Sequence, residues 1–322
     1  MGVKMNNIII TGATGFIGNA LFNYLTQKNI PNVYATARSV KNLPVENSIQ
    51  ISDISKNTDW SPIFTRKIDT IIHCAARVHI MNDVSTDPIA EFRKVNVDGT
   101  LRLAHEAIKN GVRRFIFISS IKVNGEETIV GEPFKSSDKA NPSDPYGISK
   151  YEAEQALLKL ASDTDLEVVI IRPTLVYGPN VKGNFNNLLR LSSSSLPLPF
   201  GSINNVRSMI YLDNLLNLIT HCIHTDTAKN QIILASDGED LSLSSLLKTM
   251  RRAQNKRPLL IPIPTPFFKF IGRMLNKKAI ISRLLGNLQV DTLSDQEKLH
   301  WKPPFTAEEG LSYTVQYFIN RK

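Results

Sequence analysis

A tyrosine and a lysine four residues apart, Tyr146 and Lys150, form the pair in this sequence best suited to moving a proton. On the helix that the surrounding pattern predicts, this spacing puts both side chains on one face, one turn apart. An ammonium beside a phenol stabilises the phenolate, so Lys150 is expected to lower the pKa of Tyr146 from about 10 toward the working pH. Ser119 and Ser120 end a predicted buried strand, where open α/β sheets place their ligands. Together these residues predict an acid–base site.

A glycine-rich turn directly follows the first predicted strand and leads into a helix, with the sequence TGATGFIG from Thr11 to Gly18. Its three glycines permit a tight turn, a close approach of the backbone to a pyrophosphate, and close packing of helix on strand. The helix N-terminus supplies unpaired N–H groups to the phosphates. The segment therefore predicts a dinucleotide site formed by Gly12, Thr14, Gly15, Phe16, Ile17 and Gly18.

The end of the second predicted strand bears on which dinucleotide is bound. NAD-selective proteins carry an acidic residue there that binds the adenosine ribose. This strand instead ends in Ala37 and Arg38, and a guanidinium is suited to a 2′-phosphate. The sequence thus favours NADP(H), with NAD(H) as the alternative and Arg38 then solvated or stacked on adenine.

Short apolar runs alternate with amphipathic helical patterns through the first half of the chain, which is typical of a parallel sheet with crossover helices. Strands are predicted at 7–11, 33–37, 70–74, 114–119 and 168–172, and helices at 16–27, 92–110 and 146–161. The fold class is therefore α/β, a doubly wound parallel sheet of the Rossmann type. Prolines and a serine run loosen the pattern after Arg172. We expect a dinucleotide-binding domain at 1–172, and at 173–322 mainly a smaller mixed substrate lobe with some segments returning to the sheet.

The composition excludes several other classes of protein. The 322 residues are 42% hydrophobic and carry a net charge of +9, but residues 241–290 contain ten lysines and arginines and no acid. Because the rest of the chain is nearly neutral, no general nucleic-acid surface is expected. Aromatic residues interleave with these cations, which indicates weak contact with an anionic membrane surface. Two cysteines, no signal peptide and no apolar run of about 20 residues predict a cytoplasmic protein without a membrane span.

The motifs, taken in order, resemble the extended short-chain dehydrogenase/reductases, and within them the NAD-dependent epimerase/dehydratase family. The resemblance covers nearly the whole chain and narrows to the branch that acts on nucleotide sugars. Besides the glycine turn, it rests on Asp69-x-x-x-His73-x-Ala75-Ala76, on NVDGT at 96–100, on Ser119-Ser120 followed by VNG at 123–125, and on Tyr146-x-x-x-Lys150.

Residue roles follow from this resemblance. It implies that Ser120, Tyr146 and Lys150 are catalytic, that Lys150 also binds the nicotinamide ribose, and that Asn124 stands where the family usually has a tyrosine. The implied cofactor contacts beyond the glycine turn are Arg38, Asp53, Ile54, Ala75, Ala76, Asn96, Tyr146, Lys150 and Pro173. The implied substrate contacts are Ser120, Asn124, Tyr146, Thr174, Asn184, Arg207 and Arg283. Arg207 is expected to hold the nucleotide diphosphate. No metal is expected, and His73 is interpreted as a packed structural histidine.

Three reactions at sugar C4 share this apparatus: reduction of a 4-keto sugar, 4-epimerisation and 4,6-dehydration. Dehydratases add an acidic pair after the catalytic serine, where this chain has Ile121 and Lys122. Many 4-epimerases have an acid after the second strand and RYFN where this chain has RPTL at 172–175. These departures favour NAD(P)H-dependent reduction of a UDP- or dTDP-linked 4-keto-6-deoxyhexose, with or without an N-acetyl group. The alternative is a UDP-glucose or UDP-N-acetylglucosamine 4-epimerase using bound NAD. A more remote alternative is a dinucleotide sensor without catalytic activity. The presence of Ser120, Tyr146 and Lys150 together argues against it.

The resemblance also implies a setting and an assembly. The setting is bacterial surface polysaccharide synthesis, such as that of O-antigen or lipopolysaccharide. The assembly is a homodimer, in which the predicted helix at 92–110 contributes to a four-helix bundle with the partner subunit. The alternative is that this helix only packs on the sheet of its own chain.

Overall fold

Seven parallel strands form the main sheet of this computed structural model, which describes residues 7–41, 43–78, 87–274 and 278–321. Across the sheet the strands run β3-β2-β1-β4-β5-β6-β9, so the order reverses beside β1, between β1 and β4. A second sheet has the order β10-β8-β7. The strands are β1 (Ile8–Thr11), β2 (Val33–Ala37), β3 (Ser48–Gln50), β4 (Thr70–His73), β5 (Arg114–Ile118), β6 (Glu167–Pro173), β7 (Leu175–Tyr177), β8 (Arg207–Tyr211), β9 (Gln231–Ala235) and β10 (Asp240–Leu241).

Helices cover both faces of the main sheet, because alternate strand residues point to opposite sides and are apolar on both. The helices are α1 (Phe16–Gln27), α2 (Ser61–Phe64), α3 (Pro88–Arg93), α4 (Thr100–Lys109), α5 (Pro145–Asp163), α6 (Gly183–Ser192), α7 (Leu212–His224), α8 (Leu243–Ala253), α9 (Thr265–Met274), α10 (Lys278–Leu285), α11 (Leu293–Leu299) and α12 (Ala307–Asn320). Helices α1 and α7 pack on one face, against residues such as Ile10 and Ile116. Helices α4 and α5 pack on the other, against Phe115 and Phe117.

A separate apolar cluster holds the smaller lobe together. It joins β7, β8, α6, α8 and α12, with Tyr177, Phe185 and Leu247 among its buried residues. Tyr177 stacks on Phe185 with ring centroids 5.3 Å apart, and its hydroxyl donates to Asp237 at 2.8 Å. Asp237 also accepts from the backbone N–H of Tyr211. The residues after β9 are thereby tied to the lobe.

The predicted fold class is confirmed: the chain is a doubly wound parallel sheet with a smaller mixed sheet beside it. Two elements of the main sheet were not individually predicted. The edge strand β3 is only three residues long, and β9 lies beyond the irregular region, so the sheet receives its seventh strand from the second half of the chain. Helix α7, also from the second half, covers one sheet face.

The helix predicted at 92–110 is interrupted. A π-helical segment, Lys94–Gly99, separates α3 from α4. At its end, Gly99 lies against the loop after β3, where a Cβ would be 2.4 Å from Cγ2 of Ile54. The wider turn therefore brings the helix backbone and Asn96 close to the sheet edge, as π-bulges often do at functional sites.

Candidate active site

The glycine turn between β1 and α1 is shaped by contacts that admit no side chain. Gly12 has φ +71°, and a Cβ there would lie 2.7 Å from Cα of Ala75. A Cβ on Gly18 would lie 2.4 Å from the carbonyl oxygen of Gly12, while Gly15 N–H donates to that oxygen at 2.9 Å. Gly15 caps α1 and has no side chain to occupy the first-turn N–H groups, so they can receive a phosphate.

The residues expected at the adenine end lie at the carboxyl ends of β2 and β3. Arg38 and Asp53 are exposed there, and Ile54 is partly buried against Gly99. The Thr58 hydroxyl donates to the carbonyl oxygens of Asp53 and Ser55, at 3.3 and 2.9 Å, which fixes the loop that carries Asp53 and Ile54. These residues and the glycine turn flank one edge of the sheet, so an adenosine can lie across them.

Tyr146 and Lys150 occupy the first two turns of α5. The helix begins at Pro145 because Asp144 caps it, with Oδ1 accepting from Gly147 N–H at 2.6 Å. Lys150 is buried, and its Nζ donates to the carbonyl oxygen of Ile118 at 2.8 Å and lies 4.3 Å from the ring centroid of Phe117. Burial lowers the pKa of Lys150 to about 8.

The expected lowering of the Tyr146 pKa is wrong for this arrangement. Burial raises the pKa of the Tyr146 phenol, the carboxylate of Asp144 raises it further, and a hydrogen bond with the Ser120 hydroxyl opposes both. Desolvation of the phenolate therefore outweighs the stabilisation expected from Lys150, whose Nζ is directed at the Ile118 carbonyl. Ser120 and Tyr146 nevertheless meet at the carboxyl end of β5, as an acid–base pair requires.

The two serines after β5 have different surroundings. The hydroxyl of Ser119 is buried and donates to Glu154, which itself is fully buried on α5 one turn beyond Lys150. Ser120 is half-buried, and its Oγ accepts from Lys122 N–H at 3.3 Å. Only Ser120 therefore has a hydroxyl placed beside Tyr146, which favours it over Ser119 as the catalytic serine.

A buried ion pair beneath this site was missed by the sequence reasoning. Arg172, on β6, donates to Glu154 from Nε at 3.0 Å and from Nη2 at 2.5 Å. Its Nη1 donates to Oδ1 of Asn124 at 2.9 Å, and Asn124 Nδ2 donates to the Lys135 carbonyl at 3.1 Å. A signal existed in the sequence, because Glu154 follows Lys150 by four residues and Arg172 interrupts an apolar strand.

Asn96 connects the loop after β4 to helix α5. Its Oδ1 accepts from Arg77 N–H at 2.8 Å, and its Nδ2 donates to the Arg77 carbonyl and to Ser149 Oγ, both at 3.0 Å. Ala75 and Ala76 lie in the segment between β4 and Arg77, and Ala75 forms the floor against which Gly12 packs. Asn96 is therefore placed to support the site.

His73 is a structural histidine, as its place in a buried strand predicts. The Thr100 hydroxyl donates to the Asn96 carbonyl at 2.8 Å, so it accepts from His73 Nε2–H at 3.0 Å. Nδ1 of the neutral ring then accepts from the Thr11 hydroxyl at 2.7 Å. Burial lowers the pKa of His73 to about 3, in agreement with a neutral ring. The described residues contain no group of three His, Cys, Asp or Glu that could hold a metal.

Two residues that were expected to contact the substrate, Asn124 and Thr174, are buried. The amide of Asn124 is committed to Arg172 and Lys135, and the Thr174 hydroxyl is buried and donates to the Ala235 carbonyl at 3.0 Å. Both side chains are buried and hydrogen-bonded within the chain, which fixes β6 and its loops. Pro173 ends β6 and is also buried.

The remaining expected contacts lie in the smaller lobe. Asn184 is exposed in the first turn of α6. Arg207 is partly buried at the start of β8, where Nη1 donates to the Gly286 carbonyl at 3.2 Å. Burial lowers its pKa, and the carboxylate of Glu127 opposes that effect. The side chain of Arg283, on α10, lies outside the described part of the chain.

Known proteins similar to this chain agree with the geometry. The family model "NAD dependent epimerase/dehydratase family" matches residues 8–235. A UDP-glucose 4-epimerase of Vibrio cholerae is 46% identical over 314 residues, which are 97% of this chain and 95% of that protein. The N-acetyl-alpha-D-glucosaminyl-diphospho-ditrans,octacis-undecaprenol 4-epimerase of Escherichia coli O157:H7 is 27% identical, covering 98% of this chain and 97% of that protein.

Solved structures share the fold. The UDP-glucose 4-epimerase of Thermotoga maritima, determined with UDP-glucose, is 24% identical with a TM-score of 0.76, covering 98% of this chain and 99% of that one. The UDP-glucuronic acid 4-epimerase of Bacillus cereus, determined with NAD, is 19% identical with a TM-score of 0.76 and the same coverage. The expected preference for NADP(H) finds no support among these relatives. The chain is thus an enzyme that belongs to the NAD dependent epimerase/dehydratase family.

Proposed function

We propose that this enzyme is a nucleotide-sugar 4-epimerase that uses NAD and takes a UDP-linked hexose. The observation that carries the proposal is the meeting of Ser120, Tyr146 and Lys150 at the carboxyl end of β5, in a chain 46% identical to a UDP-glucose 4-epimerase over nearly its whole length. The reduction of a 4-keto sugar becomes the second candidate. The sequence favoured reduction partly because Arg38 suits the 2′-phosphate of NADPH. Arg38 is exposed after β2 and can equally lie over the adenosine of NAD.

The side chains supply the proton chemistry that the reaction at C4 needs. Tyr146 removes the proton of the O4 hydroxyl and later returns it, and Ser120 hydrogen-bonds the same oxygen. Lys150, buried one helical turn after Tyr146 on α5, provides the positive charge that holds the dinucleotide ribose. The dinucleotide, when bound along the glycine turn, supplies the acceptor and donor of the C4 hydride. Because the hydride is returned to the sugar, no net reductant is consumed.

The residues after Ser120 support this assignment against 4,6-dehydration. Dehydration needs carboxyl groups to move protons at C5 and C6, but Ile121 is buried and Lys122 forms ion pairs with Asp144 and Glu126. Those two carboxylates are therefore already paired with a cation. No acid stands at the two positions after the catalytic serine.

The decisive experiment is a substrate panel with product NMR. UDP-glucose, UDP-N-acetylglucosamine and N-acetylglucosaminyl diphosphoundecaprenol are each incubated with the protein and NAD, because relatives act on both nucleotide-linked and lipid-linked sugar diphosphates. We expect the C4 epimer of a UDP-sugar to form without lasting change in absorbance of the reduced cofactor. A UDP-4-keto-6-deoxyhexose with NADPH forms the opposing arm, and its consumption without any C4 epimerisation would establish the reductase instead. Tyr146→Phe serves as the inactive control.

A further inference from the structure

An apolar stripe runs along the outside of helix α9. Phe267, Phe270 and Met274 are separated by three and four residues, so they lie on one helix face. Their exposed fractions are 50, 59 and 72%. Phe268 points the other way and stacks on Phe200 of the smaller lobe, with ring centroids 5.3 Å apart and planes at 12°. The helix is therefore anchored by one aromatic side chain and presents three large apolar ones to its surroundings.

The segment that leads into α9 adds to this surface. Leu259 and Ile261 are both about half exposed, whereas Leu260 between them packs into the core of the lobe. The backbone of this segment is fixed to the loop between α6 and β8, since Ile261 N–H donates to the Leu198 carbonyl at 2.8 Å and Leu198 N–H to the Leu259 carbonyl at 3.2 Å. The apolar side chains are thus held outward by a bonded backbone.

The stretch of sequence that contains this stripe carries charge of a single sign. Residues 241–290 hold ten lysines and arginines and no acid. Four of these cations, Lys248, Arg252, Arg257 and Arg273, have exposed side chains and form no ion pair within the part of the chain that the structure describes. Arg273 lies on α9 itself and falls between Phe270 and Met274 in the sequence. A surface of this kind attracts an extended anionic partner that also accepts apolar side chains.

We propose that α9, with the exposed cations Arg257 shortly before it and Arg273 on it, docks the enzyme on an anionic phospholipid bilayer, with Phe267, Phe270 and Met274 entering the headgroup region. A helix with aromatic residues on one face and cations beside it is the form that binds in a membrane interface. A second copy of this chain fits less well, because it would bring cations against cations. A nucleic acid would leave the apolar stripe without a partner. An anionic bilayer attracts the cations and also takes up the apolar side chains of the stripe.

The docking proposal goes beyond the proposed function and is tested without substrate. Phe270→Trp places a reporter on the stripe, and the native Trp60 and Trp301 are buried and give a constant background. With vesicles of phosphatidylglycerol and phosphatidylcholine, we expect the emission of Phe270→Trp to shift to shorter wavelength and to be quenched by brominated lipid. Leu293→Trp, at an exposed site on α11, is the matched reporter and should not respond.

Vesicle co-sedimentation then separates the two components of the surface. Arg257→Glu with Arg273→Glu should weaken binding by tenfold or more, at about fivefold for each cation removed from an anionic surface. Phe267→Ser with Phe270→Ser should weaken it by at least about tenfold. The control Lys159→Glu with Lys302→Glu makes the same change in net charge at other exposed sites and should bind nearly as the native protein does. Circular dichroism and thermal unfolding verify that each variant is folded.

Three results would overturn the proposal. One is native protein that stays in the supernatant with phosphatidylglycerol vesicles. Another is binding that falls equally in the Lys159/Lys302 control, because the attraction would then come from net charge alone. The third is light scattering in which Phe267→Ser with Phe270→Ser converts an oligomer to a monomer, since the stripe would then be a contact between copies of the chain.

Discussion

Two groups of cations in this molecule differ in what surrounds them. Lys150 and Arg172 are buried at the carboxyl edge of the main sheet. Lys150 donates to the Ile118 carbonyl, and Arg172 donates to the Glu154 carboxylate and to the Asn124 amide oxygen. Arg252, Arg257 and Arg273 in the smaller lobe are exposed and have no ion-pair partner within the described residues. Buried cations of this kind fix a geometry, whereas exposed ones are available to something outside the chain.

The largest effect expected at the buried group concerns turnover. Tyr146→Phe removes only the phenol hydroxyl, so proton transfer at O4 is lost and kcat should fall by about 10²–10⁴. Dinucleotide binding, measured by titration calorimetry, should remain close to native because the glycine turn is unaffected. Retention of native kcat would show that Tyr146 is not the acid–base group.

Removal of one partner of the buried Arg172–Glu154 ion pair should strongly lower the free energy of unfolding. Arg172→Met leaves the Glu154 carboxylate buried without its cation, and we expect the free energy of unfolding to fall by about 3–5 kcal/mol in urea denaturation. The double variant Glu154→Met with Arg172→Met should lose less than Arg172→Met alone, since no unpaired charge remains. An equal or larger loss in the double variant would contradict this account of the pair.

The buried histidine predicts a dependence of stability on acidity. The pKa of His73 is about 3 in the folded chain and about 6.5 in the unfolded one, so the unfolded state binds more protons between these values. Stability should therefore fall as the pH falls through 6.5, by about 2 kcal/mol between pH 7 and pH 5. Urea denaturation of His73→Gln at both pH values should lack this component. His105→Gln, at an exposed site on α4, should retain it.

The smallest effect is expected from an exposed pair of the same chemistry. Arg93 binds Glu152 in a bidentate manner, with Nη2 to Oε1 at 2.6 Å and Nε to Oε2 at 2.8 Å, but about half of the arginine side chain is exposed. Arg93→Met should change the free energy of unfolding by less than about 1 kcal/mol, because water screens the pair. A loss near that of Arg172→Met would remove the distinction between buried and exposed pairs.

The homodimer is a separate prediction about the oligomeric state of the protein. The helices α3, α4 and α5 pack together on one side of the sheet, and the resemblance implies that this side meets its counterpart in a homodimer. Light scattering of the native protein should give twice the mass of the chain. A monomer would show that the side is covered only by solvent.

Periodicity and local chemistry account for much of what could be predicted. Glycine spacing identified the turn after β1, where Gly12 and Gly18 leave no room for a side chain. Apolar runs identified β1, β2, β4, β5 and β6, since a strand buried on both faces is nearly all apolar. The strand β9 was not individually predicted, because the segment from which it returns is irregular and the pairing partner β6 is distant in sequence. No signal in the apolar periodicity marked the π-helical segment, whose Gly99 meets Ile54 only in the folded chain.

The sequence by itself determined the class of chemistry: a glycine turn, a tyrosine and lysine one helical turn apart, and serines at a strand end need no tertiary information to be recognised. Only the tertiary structure decided which side chains are free to act. It paired Ser119 with Glu154 and left Ser120 beside Tyr146, and it turned Asn124 and Thr174 into internal hydrogen bonds. The physical reason is that burial requires each polar group to find a partner, and those partners come from strands and helices far apart in the chain.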